Sequence, residues 1–298
     1  MDKVKKSVLV PVIFFSWFGF PLTIKELRRY LWRHEMREEA LVAMVKELPS
    51  VTYRDGLVWV GDKVSDRAEL EQNAGRLWRR VARWRWIFAN VPFMRAVFVS
   101  NTLSYNNARP GSDIDLLIVT APGRIWTARA WLLVWMNLFN LRVRSQDRAA
   151  KFSPEFFVTE TSWDVSAIAL PHDYYLSFWV SDLVPVWPGG EANSFRQANR
   201  WYANDLPVAW RSPKEPGYHR ATSSVYARSV EWCLRGRMGD WLESHVQRSQ
   251  TSIIQRNLRR LGVNPQVVTS DDVIKLHFND RRATVRDVIN RFVDEVVE

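Results

Sequence analysis

Residues 97–120, VFVSNTLSYNNARPGSDIDLLIVT, decide how the rest of the chain is read. Val97, Phe98 and Val99 make a short apolar strand, and a polar turn begins at Ser100. Arg109-Pro110-Gly111 closes a loop, after which Asp113 and Asp115 sit on a second strand. Alternate side chains of a strand share a face, so these two carboxylates point the same way, about 6–7 Å apart along the chain. Leu116, Leu117, Ile118 and Val119 continue as an unbroken apolar run, the signature of a central strand buried on both faces. Two carboxylates at the lip of such a strand are costly to leave unpaired, and divalent cations would relieve that cost.

Working outward, Thr23-Ile24-Lys25-Glu26 forms a capping box after Pro21 and starts a helix through Trp32. A second helix from Met36 to Leu48 places Leu41, Met44, Val45 and Leu48 on one face. Asp55-Gly56 then joins Val51-Thr52-Tyr53 to Leu57-Val58-Trp59-Val60 as a tight hairpin. Helices followed by a two-stranded wing describe a winged-helix-like unit over residues 1–62, either a DNA reader or a docking module. Glu38, Glu39 and Glu47 around Arg37 argue against base reading. From Ser65 to Asn90 the spacing predicts one long helix within a connecting segment, residues 63–95. Leu77, Val81, Trp84 and Phe88 form its apolar stripe, and Arg76, Arg79, Arg80 and Arg83 a basic ridge. That ridge either grips a phosphate backbone or is a solvated face paired with Glu69 and Glu71.

Downstream, a helix runs from Arg124 to Asn140, and Arg142, Arg144, Arg148 and Lys151 make a basic loop. Pro154 then precedes the strand-forming run Glu155-Phe156-Phe157-Val158-Thr159, which places a third carboxylate at a strand's start, with Asp164 as a rival. Asp182 to Gly190, with Pro185, Pro188 and Gly189-Gly190, reads as a loop and boundary. Helix is expected over Ser194–Asp205, Val225–Val246, Ile253–Leu261 and Ala283–Val297, with a Pro-rich connection from Pro207 to Gly217. Val267–Thr269 and Val273–Leu276 read as short strands.

Composition bounds the partners. The 298 residues carry 42 Lys plus Arg against 32 Asp plus Glu, a net charge of +10 that favours a polyanion, RNA or DNA, as partner. A single Cys233 excludes an internal disulfide framework and a Cys-based zinc site and suits a reducing, cytoplasmic location. Lys3, Lys5 and Lys6 precede the apolar run Val8–Leu22, but Pro11, the absence of a small-residue cleavage site and the capped helix that follows make it a buried first helix. Trp126 to Leu141 is interrupted by Arg129 and Asn137, so no membrane partner is expected. Phosphate-loop, dinucleotide and His-Glu-x-x-His motifs are missing, and His34, His172, His219, His245 and His277 are scattered singly. Ser112 has no nucleophile-elbow context.

The run Asn101 to Leu116 resembles the signature of the DNA polymerase β-like nucleotidyltransferase superfamily, in which a Gly-Ser turn precedes Asp-x-Asp by about ten residues. The chain is also similar to prokaryotic nucleotidyltransferase-domain proteins with a winged-helix-like front. The resemblance implies an α/β (α+β) fold with a small mixed-sheet nucleotidyltransferase core over residues 96–190, followed by a mainly helical unit over residues 191–298. It implies Asp113 and Asp115 as catalytic ligands of two Mg²⁺ ions, with Glu155 as the third carboxylate. It also implies Ser100, Asn101 and Thr102 as the phosphate-facing turn, with Ser112 beside it. Arg124 or Arg129 would offset charge on an NTP's departing phosphates. Asn101-Thr102 stands where the family pattern has Gly-Ser, and Asn106 where it often has a second glycine. Asparagine adopts positive φ more readily than most residues, and threonine keeps a hydroxyl. The expected activity is Mg²⁺-dependent transfer of a nucleoside monophosphate to RNA or DNA. The alternatives are a non-catalytic nucleic-acid-binding or regulatory module, and transfer to a small molecule or protein.

Overall fold

The computed structural model describes residues 2–62, 64–144, 147–188, 191–214, 222–261, 267–276 and 280–297. The chain opens with α1 (Asp2–Trp17), whose residues from Val8 to Phe15 are all buried, so a helix apolar on every side runs through the interior. It starts and ends earlier than the apolar run alone suggests. The following β1 (Leu22–Thr23) leads into α2 (Ile24–Arg29), where Thr23 and Glu26 make the expected capping box. This helix stops at Arg29 and does not reach Trp32. Next come α3 (Glu38–Glu47), β2 (Thr52–Arg54) and β3 (Leu57–Trp59). Asp55 and Gly56 both have positive φ, 52° and 76°, as a two-residue turn between right-twisted strands requires. The three strands form a small antiparallel sheet ordered β1-β3-β2.

The long helix expected after Ser65 is two helices, α4 (Arg67–Trp84) and α5 (Trp86–Ala89), parted at Arg85. Then follow β4 (Met94–Val99), α6 (Asn101–Ser104), β5 (Ile114–Thr120), α7 (Ile125–Leu138), β6 (Phe152–Thr159) and α8 (Tyr174–Ser181). The segment read as a loop before Gly189 is instead β7 (Val184–Pro188). Its prolines are tolerated because β7 is an edge strand that pairs with β4 alone, so a missing N–H on the open side breaks no ladder.

Beyond it lie α9 (Glu191–Ala198), a 3₁₀ turn (Arg200–Asn204), α10 (Pro207–Arg211) and α11 (Val225–Cys233). Pro207 opens a helix at its first turn rather than belonging to a connection; residues 215–217 of that stretch, and Gly189-Gly190, lie outside the described residues. The helix expected from Val225 to Val246 breaks at Gly236, φ 95°, and restarts as α12 (Arg237–Leu261), which runs unbroken through Ile253–Leu261. The chain closes with β8 (Val268–Thr269), β9 (Val273–Lys275) and α13 (Arg282–Val297).

The fold is mixed α and β, and its main sheet is mixed, ordered β7-β4-β5-β6-β9-β8, with β5 and β6 parallel and the other pairs antiparallel. β5 is central and buried on both faces. Leu117 and Val119 join Phe98, Phe156 and the N-terminal elements in one apolar cluster that extends to Val293 of α13. Leu116 and Ile118 join Val97, Phe157 and residues of α7 and α12 in the other. Among the described residues no helix is long and apolar enough to cross a membrane.

One contact that holds the second layer together crosses from α12 to α7. The first turn of α7 lacks a side-chain cap of its own. The buried Glu243 supplies one, accepting hydrogen bonds from the backbone N–H of Trp126 and of Thr127, each at 2.8 Å. A carboxylate there meets both orphan donors and the positive end of the helix dipole. Glu243→Ala is expected to cost about 2 kcal/mol, because two buried N–H groups lose their acceptor. A lowered urea midpoint at unchanged slope is the readout.

Candidate functional site

The turn after β4 is built by asparagine in left-handed backbone. Asn101 has φ 56° and Asn106 φ 60°, a region that glycine adopts freely and asparagine more readily than other side-chain-bearing residues. Ser100, still extended, donates its N–H to the Asp115 carbonyl at 3.0 Å and so ties the turn to β5. The Ser104 hydroxyl donates to the Asn101 carbonyl at 2.7 Å, and the Asn107 N–H to the Thr102 carbonyl at 2.8 Å. Among the described residues the Thr102 hydroxyl has no hydrogen-bond partner, which leaves it available to a ligand. The following loop is pinned to the end of α1, where the side chains of Asn107 and Arg109 both donate to the Phe18 carbonyl, at 3.3 and 3.0 Å. Ser112 closes this loop: its hydroxyl accepts from the Arg109 N–H at 3.0 Å.

Asp113 lies just before β5 and Asp115 within it. An Asp115 carboxylate oxygen accepts from the Asn101 side-chain amide at 2.9 Å, while Asp113 pairs with Arg148 at 2.5 Å. Burial, and next the charge of Asp113, push the Asp115 carboxyl up to about 7, against the Asn101 hydrogen bond; Glu155 adds to the rise. β6 runs parallel to β5 with Ser153 opposite Asp115, and a register shift follows on the way to Phe156. This places Glu155 one strand over. Burial raises its carboxyl pKa, Ser153 and Arg148 oppose the rise, and Asp113 adds to it. Glu155 is therefore coupled to the pair by charge, yet among the described residues no three acidic, His or Cys side chains gather closely enough to hold a metal ion. Asp164 is not a rival: it caps the 3₁₀ turn Val165–Ile168, accepting from the Ser166 N–H at 2.9 Å.

A pocket opens beside Asn101, walled by Phe18, Phe156, Tyr175 and Trp179, with Lys275 and Arg282 at its polar side. The rings of Phe156 and Trp179 are stacked at 5.6 Å. Burial, then the charge of Asp115, drive the Tyr175 hydroxyl well above its ordinary pKa. Asp280 accepts from Lys275 at 2.9 Å and from Arg282 at 2.8 Å; these bonds outweigh burial and hold its carboxyl well below the usual range. Sequence gave no signal for these pocket residues. Tyr175 belongs to no motif, and Lys275 and Arg282 lie more than a hundred residues from the aspartates.

The remaining expected residues fall elsewhere. Arg124 follows the far end of β5, some 16 Å along the strand from Asp115, and pairs with Asp240 at 2.8 Å, so the structure does not bring it to the carboxylates. Arg129 is buried on the opposite sheet face, away from the Asn101 turn. Of the ridge, Arg76, Arg79 and Arg83 are exposed and Arg80 is half-buried, and among the described residues none forms an ion pair. Glu71 pairs with Arg67 instead, at 2.7 Å. His172 sits in a left-handed turn, φ 55°, and His219 and His277 lie outside the described residues.

The positive φ at Asn101 gives a direct test of the turn. Asn101→Gly is expected to change stability by no more than about 1 kcal/mol, whereas Asn101→Val, β-branched in left-handed backbone, loses about 2 kcal/mol or more. Paired urea titrations distinguish the two.

No family model, curated protein or solved structure matches the chain.

Proposed function

We propose that the chain is a Mg²⁺-dependent nucleotidyltransferase of the DNA polymerase β-like kind, moving a nucleoside monophosphate from an NTP to an acceptor with release of pyrophosphate. The observation that carries this reading is the left-handed Asn101, bonded to Asp115 beside Asp113 at the mouth of an aromatic pocket. The α1 to β3 region, three helices and a three-stranded sheet, is read as the winged-helix-like front of such an enzyme.

The donor set suits a cation. The charge of Asp113 helps to raise the proton affinity of Asp115, a divalent ion would relieve that repulsion, and carboxylate oxygens are what Mg²⁺ takes. Asp113 and Asp115 would hold it, Arg148 being displaced from Asp113. When bound, Mg²⁺ supplies neutralisation of the phosphates and a lowered pKa for the attacking hydroxyl. Thr102 offers its hydroxyl to a phosphate oxygen, and the aromatic walls around Tyr175 provide an apolar slot for a base. Glu155, the third carboxylate that the resemblance implies, lies one strand over, and its charge acts on Asp115. The net charge of +10 and the unpaired arginines of α4 favour RNA or DNA as acceptor.

Labelled NTPs incubated with candidate RNAs and Mg²⁺ test the reading, with Asp113→Ala and Asp115→Ala in parallel. Incorporation that needs the metal and both aspartates supports it, and labelled product that survives nuclease moves the acceptor to a small molecule or protein. A second reading has its own observation: both carboxylates are already engaged inside the chain, Asp113 by Arg148 and Asp115 by Asn101. On that reading the protein binds nucleic acid without chemistry, and salt-sensitive RNA binding with no incorporation would establish it.

A further inference from the structure

A second pocket lies between α7, α12 and the start of β6, on the sheet face opposite the aromatic one. Arg129, Arg142, Ser153, Glu155, Gln250 and Asn257 contribute its polar lining. Arg129 is only 5% exposed. It contacts the Gln250 side-chain oxygen and lies 5.9 Å from the Phe157 ring centre, and among the described residues it pairs with no carboxylate. Its Nε is buried with no hydrogen-bond partner. Gln250 is held in place from its other end, donating to the Trp126 carbonyl at 3.0 Å, so its oxygen stays turned to Arg129.

Arg142 is half-buried in the same pocket. Its backbone is fixed by the strand-like pairing of residues 141–143 with Phe152, where Phe152 donates to the Leu141 carbonyl at 2.7 Å and Val143 to the Phe152 carbonyl at 3.0 Å. Glu155 lines the same pocket and its charge partly offsets that of Arg142, but among the described residues it forms no ion pair with either arginine. Burial and the neighbouring cation Arg142 lower the Arg129 pKa to about 10. A desolvated guanidinium facing a second one is strongly unfavourable when nothing neutralises them. Their forked donors match the oxygens of a tetrahedral oxyanion.

We propose that this pocket binds a phosphate group, held between the guanidinium groups of Arg129 and Arg142 and the side-chain donors around them. The inference rests on the arginine pair and its buried, unpartnered Nε, and it stands whether or not Asp113 and Asp115 transfer nucleotides.

Calorimetric titration of the full chain with inorganic phosphate at constant ionic strength tests it. Saturable binding is expected, weakened about tenfold or more in Arg142→Gln and in Arg129→Met. Arg129→Met is also expected to melt no lower than wild type in phosphate-free buffer, since it removes an uncompensated buried charge, and to lose the rise in Tm that phosphate gives wild type. A purely structural arginine would show the reverse pattern. Glycerol phosphate and a 5′-phosphorylated oligonucleotide, run against their unphosphorylated forms, identify the source of the group by which binds tightest. Absence of saturable phosphate binding overturns the proposal, and so does binding that Arg142→Gln leaves unchanged. Because Arg142 is half-buried, that variant decides the matter even if Arg129→Met fails to fold.

Discussion

Asp115→Asn is expected, on the proposed function, to reduce metal-dependent nucleotide incorporation about a hundred- to a thousandfold, the scale of losing a group that stabilises transition-state charge, while making the metal-free chain more stable. Both effects come from the same carboxylate. Its pKa, about 7 in the folded chain, lies above the ordinary value of 3.8 because burial and Asp113 oppose its ionisation. A raised folded pKa means that the group's contribution to stability is complete below about pH 4 and is lost as pH rises through about 7. Asparagine carries no such loss. The difference in Tm between variant and wild type should therefore open above about pH 4 and level off above about pH 7, worth on the order of 1–2 kcal/mol after allowance for the side chain's part exposure. Added Mg²⁺ should close the gap by stabilising wild type alone. Equal pH profiles for the two proteins would remove the electrostatic account of the site.

Asp182→Leu is expected to be the most destabilising single change, at about 3 kcal/mol. The Asp182 side chain is fully buried, pairs with Arg29 at 3.4 Å and Lys214 at 3.3 Å, and accepts from the Tyr30 hydroxyl. Lys214 also donates to the Ser104 carbonyl at the end of α6. One carboxylate thus joins α2, the segment after α10 and the turn that carries Asn101 and Thr102. Its removal leaves two partly buried cations without a counter-charge. The double variant Asp182→Leu with Lys214→Leu should recover part of the loss, because one orphaned charge goes with its partner. On the proposed function, loosening of Ser104 should also weaken NTP binding in Asp182→Leu more than in Glu243→Ala, whose lesion lies on the other sheet face. Denaturant midpoints and nucleotide titrations of the three proteins check this.

Local chemistry was readable from the chain wherever it is settled by neighbours in sequence. Thr23 and Glu26 cap α2 because a capping box closes within three residues, and Asp55-Gly56 turns because both positions tolerate positive φ. The strand–turn–strand from Val97 to Thr120 is equally local, and Asn101 and Asn106 take left-handed backbone, which asparagine tolerates better than most residues. What misled was composition without context. Pro185 and Pro188 read as a loop because proline cannot join the interior of a sheet, and only the strand order shows that β7 is an edge. The resemblance sets Arg124 against an NTP's phosphates, but the extended strand between it and Asp113 carries it to the far end of the sheet.

The sequence by itself therefore determined the capped helices, the hairpin, the central buried strand and the paired aspartates, since each depends on periodicity or spacing over a few residues. Tertiary structure alone decided which distant groups share a volume: Tyr175, Lys275 and Arg282 beside Asn101, Glu243 on the start of α7, Asp182 between Arg29 and Lys214, and Arg129 in one pocket with Arg142. The reason is physical. Hydrogen bonds within a turn are fixed by bond geometry, whereas the burial that shifts a pKa or strands a charge depends on what other elements pack over it, which linear order does not encode.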